Sequence, residues 1–299
     1  MDVSIIIVNY NTKELTSNCI NSVFEHTQGL YFEVILVDND SKDGSRELFE
    51  KDKRIIFIEA GDNLGFGKAN NLGLKHASGK YIFFLNSDTL LLNNAVKILK
   101  DFYQEHTDDL HLGGIGCQLV DKDGKLIHSG NYFPNWRDDL KSEMKDHYSH
   151  LMHKTKSSRT TIPMLTSPFK PFRVDYVTGA DLFVSRKVID KYGAFDPDFF
   201  MYYEETEMQH RWHIYGLNNY IIDNAKIVHL EGSTMKHVKK SLSKKMIKAR
   251  SGIKYYSKTL GRLEYILYRI ILFLHRLPFI LTSKGTNEEK RQYILMLLH

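Results

Sequence analysis

Four short polar clusters close apolar runs in the first third of the chain. They are Asn9-Tyr10-Asn11, Asp38-Asn39-Asp40-Ser41, Asn63-Leu64-Gly65-Phe66-Gly67 and Asn86-Ser87-Asp88. Any one of them suits a turn. Together they put carboxylates and amides at the ends of successive strand-like runs, where ligands bind in open α/β sheets. A carboxylate such as Asp38 can accept the imide N–H of uracil or thymine. Asp88 offers a hard oxygen to Mg2+ or Mn2+ bridging two phosphates. Two common nucleotide sites are excluded. A GxGxxG dinucleotide loop would follow the first strand, where the chain reads "NYNTKE", and there is no GxxxxGK[ST] phosphate loop.

The elements that must carry these clusters alternate. Apolar, β-branched runs at 3–10, 32–40, 54–60 and 80–86 read as strands buried on both faces. Helical patterns at 12–27, 43–51, 66–77 and 93–106 separate or follow them, with Thr12 placed as an N-cap. Residues 113–130 read as a strand and hairpin turning at Asp123-Gly124. Repeated βα units predict an α/β fold, a mostly parallel central sheet flanked by helices. Residues 131–173 hold four of the six prolines and show no period, which predicts a long loop. Strand and helix patterns return over 174–232, and 233–299 reads as helices alone.

Composition bounds the rest. The chain has 299 residues, 42% hydrophobic and 26% charged, as in ordinary globular proteins. Cys19 and Cys117 make neither a disulfide scaffold nor a CxxC metal site, so a reducing cytosol is expected. The opening "MDVSIIIVNYN" enters a strand pattern without a basic n-region or cleavage site, which is not the pattern of a signal peptide. The net charge of +5 is uneven. Residues 236–262 carry ten Lys or Arg and no acid, leaving the remainder at −5. Such a block meets anionic partners, nucleic acid or a membrane surface.

The segments "SIIIVNYN", "EVILVDNDSKDGS", "DNLGFGKANNLGL", "YIFFLNSDTLL", "VTGADLFVSRKVIDKYGAFDPDFFMYYEETEMQHRW" and "AKIVHLEGS" stand in the order and spacing of family 2 glycosyltransferases with the GT-A fold. The chain resembles the bacterial branch that includes rhamnosyltransferases of O-antigen and capsule synthesis. The resemblance covers about residues 1–232, which it marks as a catalytic domain, and leaves 233–299 as a helical C-terminal appendage.

The resemblance implies an inverting transfer of a hexosyl unit from a dTDP- or UDP-sugar, with Mg2+ or Mn2+, to a glycan acceptor, expected to be lipid-linked. It places Val8, Asn9 and Tyr10 on the base and Asp38 in base recognition. It puts Asn63, Gly65 and Asn70 along the ribose and sugar. Asn86, Ser87 and Asp88 match the family's Asp-x-Asp metal motif, with Asp88 as principal ligand and His229 approaching the metal or diphosphate. The family's Glu-Asp pair is Glu204-Glu205 here, and Glu205 is expected to be the base that takes the acceptor proton. Glu204 and Glu207 are nearby alternatives. Asp181, in an otherwise apolar strand, is expected to reach the donor sugar, with Gly179-Ala180 allowing close approach. Trp212 reads as core rather than sugar platform. A sugar-nucleotide pyrophosphorylase would need a Gly-rich basic loop after the first strand. A non-catalytic nucleotide-sugar binding protein would leave Asp88 and Glu205 unexplained.

The last expectation concerns 263–281. At 100° per residue, Leu263, Ile266, Leu267, Ile270, Ile271, Phe273, Leu274 and Leu277 share one half of a helix. Glu264, Tyr265, Tyr268, Arg269, His275 and Arg276 share the other. Beside the basic block this predicts an interfacial helix on anionic lipid, so a peripheral protein on the inner face of the cell membrane and not a nucleic-acid binder. The alternative is that the apolar half packs on the catalytic domain or on a second subunit of a homodimer.

Overall fold

The structure is a computed structural model that describes residues 1–151, 171–230 and 242–298. In chain order its elements begin β1 (Val3–Asn9), α1 (Lys13–His26), β2 (Phe32–Asp38), α2 (Ser45–Phe49), β3 (Ile56–Glu59), α3 (Phe66–Leu74) and β4 (Tyr81–Asn86). They continue with β5 (Thr89–Leu91), α4 (Ala95–Leu110), β6 (Leu112–Cys117), β7 (Gly130–Asn131), α5 (Trp136–Leu151), β8 (Phe172–Val174) and β9 (Tyr176–Val177). Then come β10 (Asp181–Ser185), α6 (Arg186–Tyr192), α7 (Glu204–Ile214), β11 (Asn218–Ile222), β12 (Ile227–His229), α8 (Leu242–Thr259), α9 (Arg262–Thr282) and α10 (Asn287–Leu298).

The described residues form two compact units. The first holds 1–133, 171–200 and 204–230; the second holds 134–151, 201–203 and 242–298. A division at 232/233 falls outside the described residues. The second unit also takes in 134–151 and 201–203, which a linear split would leave with the first.

The first unit is built on an eight-stranded sheet of order β3-β2-β1-β4-β10-β6-β11-β8. Strands β1 to β4 are mutually parallel, as their βα connections require. β10 enters antiparallel between β4 and β6, so the sheet is mixed. Alternation along the strands explains the layers. Ile5, Ile7, Val34, Leu36 and Phe83 pack on the face of α1 and α4, while Ile6, Ile35, Val37, Ile82 and Phe84 pack with Ala69, Met208 and Trp212 on the other. The predicted turn forms at Asp123-Gly124, with Gly124 N–H on the Asp121 carbonyl. The predicted loop at 131–173 contains a helix, α5, and two short strands; its stretch 152–170 lies outside the described residues.

The second unit is helical. Buried Trp136 donates to Glu264, and Tyr203 and Tyr256 both donate to Asp139.

Candidate active site

Parallel register puts the polar clusters on one edge of the sheet. Asn9 pairs with Asp38 and Val8 with Asn86, so the carboxyl ends of β1, β2 and β4 stop together. β10 runs the other way, so its first residue, Asp181, reaches the same edge opposite Leu85.

Asn9 is the hub of the first cluster. Its Nδ2 donates to Asp38 Oδ1 at 2.7 Å and to Ser41 Oγ at 2.9 Å. Its Oδ1 accepts from Thr12 Oγ1 and Thr16 Oγ1. Asn9 is fully buried, so it orients Asp38 from beneath instead of meeting a base itself. Ser41 N–H closes on Asp38 Oδ2 at 3.1 Å. Val8 is half-buried and Tyr10 exposed, so of the three expected base contacts Tyr10 is the ring open to a ligand. Thr12 occupies the N-cap position of α1, but its hydroxyl serves Asn9, and the Asp43 carboxylate takes the Lys13 N–H instead.

The second cluster depends on Asn39. Its Nδ2 donates to Asn63 Oδ1, and its Oδ1 accepts the Leu64 N–H. Asn63 Oδ1 also takes the Gly65 N–H. Gly65 has φ +80°, and a Cβ there would fall 2.1 Å from the Phe200 carbonyl oxygen. That carbonyl accepts the Phe66 N–H at 2.9 Å, which fixes the start of α3. Asn70 is buried one turn on, its amide donating to the Phe66 carbonyl, so it braces the helix.

β5 turns back after Asn86-Ser87-Asp88 and pairs antiparallel with β12, His229 opposite Thr89. This hairpin-like closure brings His229 Nε2 to 3.2 Å from Asp88 Oδ1. Ser87 is buried against Thr12, with the hydroxyls 3.2 Å apart. Among the described residues no group of three or more His, Cys, Asp or Glu side chains gathers to hold a metal. One carboxylate oxygen and one imidazole still fit a Mg2+ or Mn2+ that keeps waters and takes phosphate oxygens as its other ligands.

Glu204 and Glu205 open α7. Glu204 is buried, with Oε2 unpartnered, and Glu205 is half-buried. Burial lifts both carboxyls above their ordinary range, and the neighbouring Glu205 charge lifts Glu204 further. The pair sits against glycines. A Cβ on Gly67 would lie 3.6 Å from that of Glu204, and one on Gly179 would lie 3.9 Å from that of Glu205. The Ala180 carbonyl accepts the Asn86 N–H at 2.9 Å, which links this pair to the end of β4. Glu207 is committed elsewhere: Arg211 holds it at 2.8 Å while also donating to the carbonyls of Tyr192 and Ala194. Trp212 is fully buried, its indole N–H on the Gly193 carbonyl, as expected of core.

Asp181 differs from its expected setting. It is fully buried, and its Oδ2 accepts the Cys117 N–H at 2.6 Å. Its Oδ1 has no partner, and burial pushes its pKa up to about 6. In this form it ties β10 to β6 beneath the edge. Sequence reasoning gave no role to Asn39, Ser41 or Thr16, although the first two lie inside a quoted cluster, and it placed Thr12 only as a helix N-cap.

Against known proteins, residues 4–177 match the family model described as "Glycosyl transferase family 2". An uncharacterised glycosyltransferase of Rickettsia bellii is 37% identical over 142 residues, covering 44% of this chain and 20% of that one. A poly(ribitol-phosphate) beta-glucosyltransferase of Bacillus spizizenii is 33% identical over 119 residues, covering 38% of this chain and 19% of that one. The match thus spans about a fifth of the length of either relative. Among solved structures, S. aureus TarS 1-349 in complex with UDP aligns with TM-score 0.54 and 16% identity, over 100% of this chain and 71% of that one. The fold is the GT-A-like one that the resemblance implied.

Proposed function

This chain belongs to glycosyl transferase family 2, and on that premise we propose that it moves one sugar, with inversion, from a UDP- or dTDP-sugar to a glycan acceptor in cell-surface polysaccharide synthesis. The observation that carries the reading is the shared sheet edge. One unit brings Asp38, the Asp88–His229 pair and the Glu204–Glu205 pair to it. The UDP complex among the fold neighbours and the poly(ribitol-phosphate) named for one relative support the donor and product class.

In this reading Asp38, held by Asn9 and Ser41, accepts the base imide N–H while Tyr10 lies against the ring. Asn63 and Gly65 border the ribose and sugar, with Asn70 bracing them from beneath. Asp88 and His229 would hold Mg2+ or Mn2+, which supplies charge stabilisation to a departing diphosphate. Glu205 takes the proton from the acceptor hydroxyl as that oxygen approaches the anomeric carbon. A carboxylate whose proton affinity is raised toward neutrality is a better base at physiological pH. Burial raises that affinity at Glu205. A lipid-linked acceptor would set the reaction at the inner face of the cell membrane.

The test is Glu205→Gln in a transfer assay with UDP- and dTDP-sugars, run with Mn2+ and after chelation. Loss of a positioned base costs on the order of 100-fold or more in turnover. Donor affinity by thermal shift should stay, and the acid limb of the wild-type pH profile should lie above about 4.3, the ordinary glutamate value. Undiminished transfer by Glu205→Gln would remove the base assignment, and full activity after chelation would remove the metal.

A further inference from the structure

Helix α9 is amphipathic, yet its exposure is the reverse of a packed helix. Its buried positions include Tyr268 and Leu272. Arg276, on the same side, has a side chain only 12% exposed. Its guanidinium donates to both Glu143 oxygens and to Tyr293 Oη. Arg269, on that half too, donates to the Leu297 carbonyl and Tyr265 Oη. The opposite side is apolar and open. Leu263, Ile266, Leu267, Ile270, Leu274 and Leu281 are all exposed, Leu263 by 83% and Leu274 by 63%. At 100° per residue these six lie within about 60° of one line. The stripe runs some 27 Å, at 1.5 Å per residue. Exposed Leu295 and Leu298 of α10 widen it, and a groove of about 360 Å³ lies between the two helices.

Scattered apolar residues on a surface need no explanation, but a continuous stripe of this size does. Its surroundings say what covers it. α8 runs into α9 through two residues, and residues 242–262 hold seven Lys or Arg and no acid. Lys245, Lys248, Arg250, Lys258 and Arg262 are exposed. An apolar stripe beside an exposed basic segment that contains no acidic residue complements a surface that is apolar inside and anionic outside. A second copy pairing through the same stripe would add a second cationic helix of the same sign.

We infer that the outward stripe of α9, with the basic α8 before it, is a lipid-binding surface that seats the chain in the interface of an anionic bilayer. The helix lies in the plane of that interface. By length and composition α9 could cross a membrane. Crossing would strip Arg269 and Arg276 from the partners just named and place both in hydrocarbon, which is costly. Lying flat keeps the polar half on protein and buries only the half that is already open. The surface works whether or not the chain transfers a sugar.

The experiment is co-sedimentation of the full chain with vesicles of phosphatidylcholine alone or mixed with phosphatidylglycerol, without donor or acceptor. Binding is expected to the anionic vesicles. It should weaken as salt rises from about 0.1 M to about 1 M, which shortens the screening length from roughly 10 to roughly 3 Å. The double variant Ile270→Glu with Leu274→Glu should bind at least roughly tenfold more weakly with unchanged circular dichroism, since both positions are exposed. Ile214→Glu, an equally open apolar residue of the first unit, should bind like the wild type. Failure of the wild-type chain to bind, or equal binding by the double variant, overturns the assignment. So does a dimer seen by light scattering that the double variant dissociates while vesicle binding is absent.

Discussion

Asp181 is a carboxyl group held where its charge is unwelcome. It is fully buried, one oxygen accepts the Cys117 N–H, and its pKa stands at about 6 against an ordinary 3.8. Between those values the folded chain binds a proton that the unfolded chain releases. The favourable contribution of the neutral form is therefore fully present below 3.8 and is lost as pH rises through about 6. Asp181→Asn keeps an acceptor for the Cys117 N–H and never ionises. Its melting temperature should gain on that of the wild type as pH is raised from about 4 to about 7, and scanning calorimetry at several pH values reads the difference. A constant gap would mean that Asp181 titrates as an ordinary exposed carboxyl. At this scale the sequence showed chemistry but not burial. It picked out Asp38 and Asn9 together, and a contact of 2.7 Å joins them. It could not show that Asn9 looks inward, because side-chain direction at a strand end depends on which hydroxyls, here Thr12 and Thr16, wait beneath it.

The loop from Asn63 to the start of α3 shows how an element positions such groups. Gly65 has φ +80° and ψ 177°, a region close to glycine-only. Two contacts hold it, its own N–H on Asn63 Oδ1 and the Phe66 N–H on the Phe200 carbonyl. Gly65→Ala would put a methyl 2.1 Å from that carbonyl oxygen. It should cost on the order of 1–3 kcal/mol from backbone strain alone, with the clash added to it. A chemical-denaturation midpoint would register this, and donor binding should weaken with it because Asn63 moves. The element level was the most legible one. β1, β2 and β4 announce themselves as β-branched or aromatic runs, and the polar residues after them mark their ends. The direction of β10 was not legible, since an apolar run reports burial and not orientation. Helix α5 was missed in a region read as loop because it shows few core-facing apolar positions, Trp136 and Leu140 being buried among its described side chains, and because its anchors, Glu264 and Arg276, lie more than a hundred residues later.

At the scale of the whole molecule, the two cysteines report on how firmly the first unit's core is closed. Cys19 on α1 and Cys117 at the end of β6 are both free, both fully buried and both in the core layer shared by α1 and α4. Burial pushes the Cys19 thiol up to about 12 and the Cys117 thiol well above its ordinary value, with the Asp181 charge adding to the latter. The thiolate is the reactive species. For Cys19 at pH 8 it would be present at about one part in ten thousand, and inside a packed interior no reagent reaches it without opening. The native chain should therefore resist alkylation at pH 8, and both thiols should react together once denaturant opens the sheet. The alkylation rate against denaturant should follow global unfolding, because α1, β1, β4 and β6 share one cluster and cannot release one cysteine alone. If Cys117 reacts first, the β6–β10 seam that Asp181 ties opens before the rest, and that carboxyl acts as a hinge point within the unit. Mass spectrometry of pulse-labelled samples separates these outcomes, and adding UDP with Mn2+ should slow labelling of both sites if the sheet edge binds the donor as proposed.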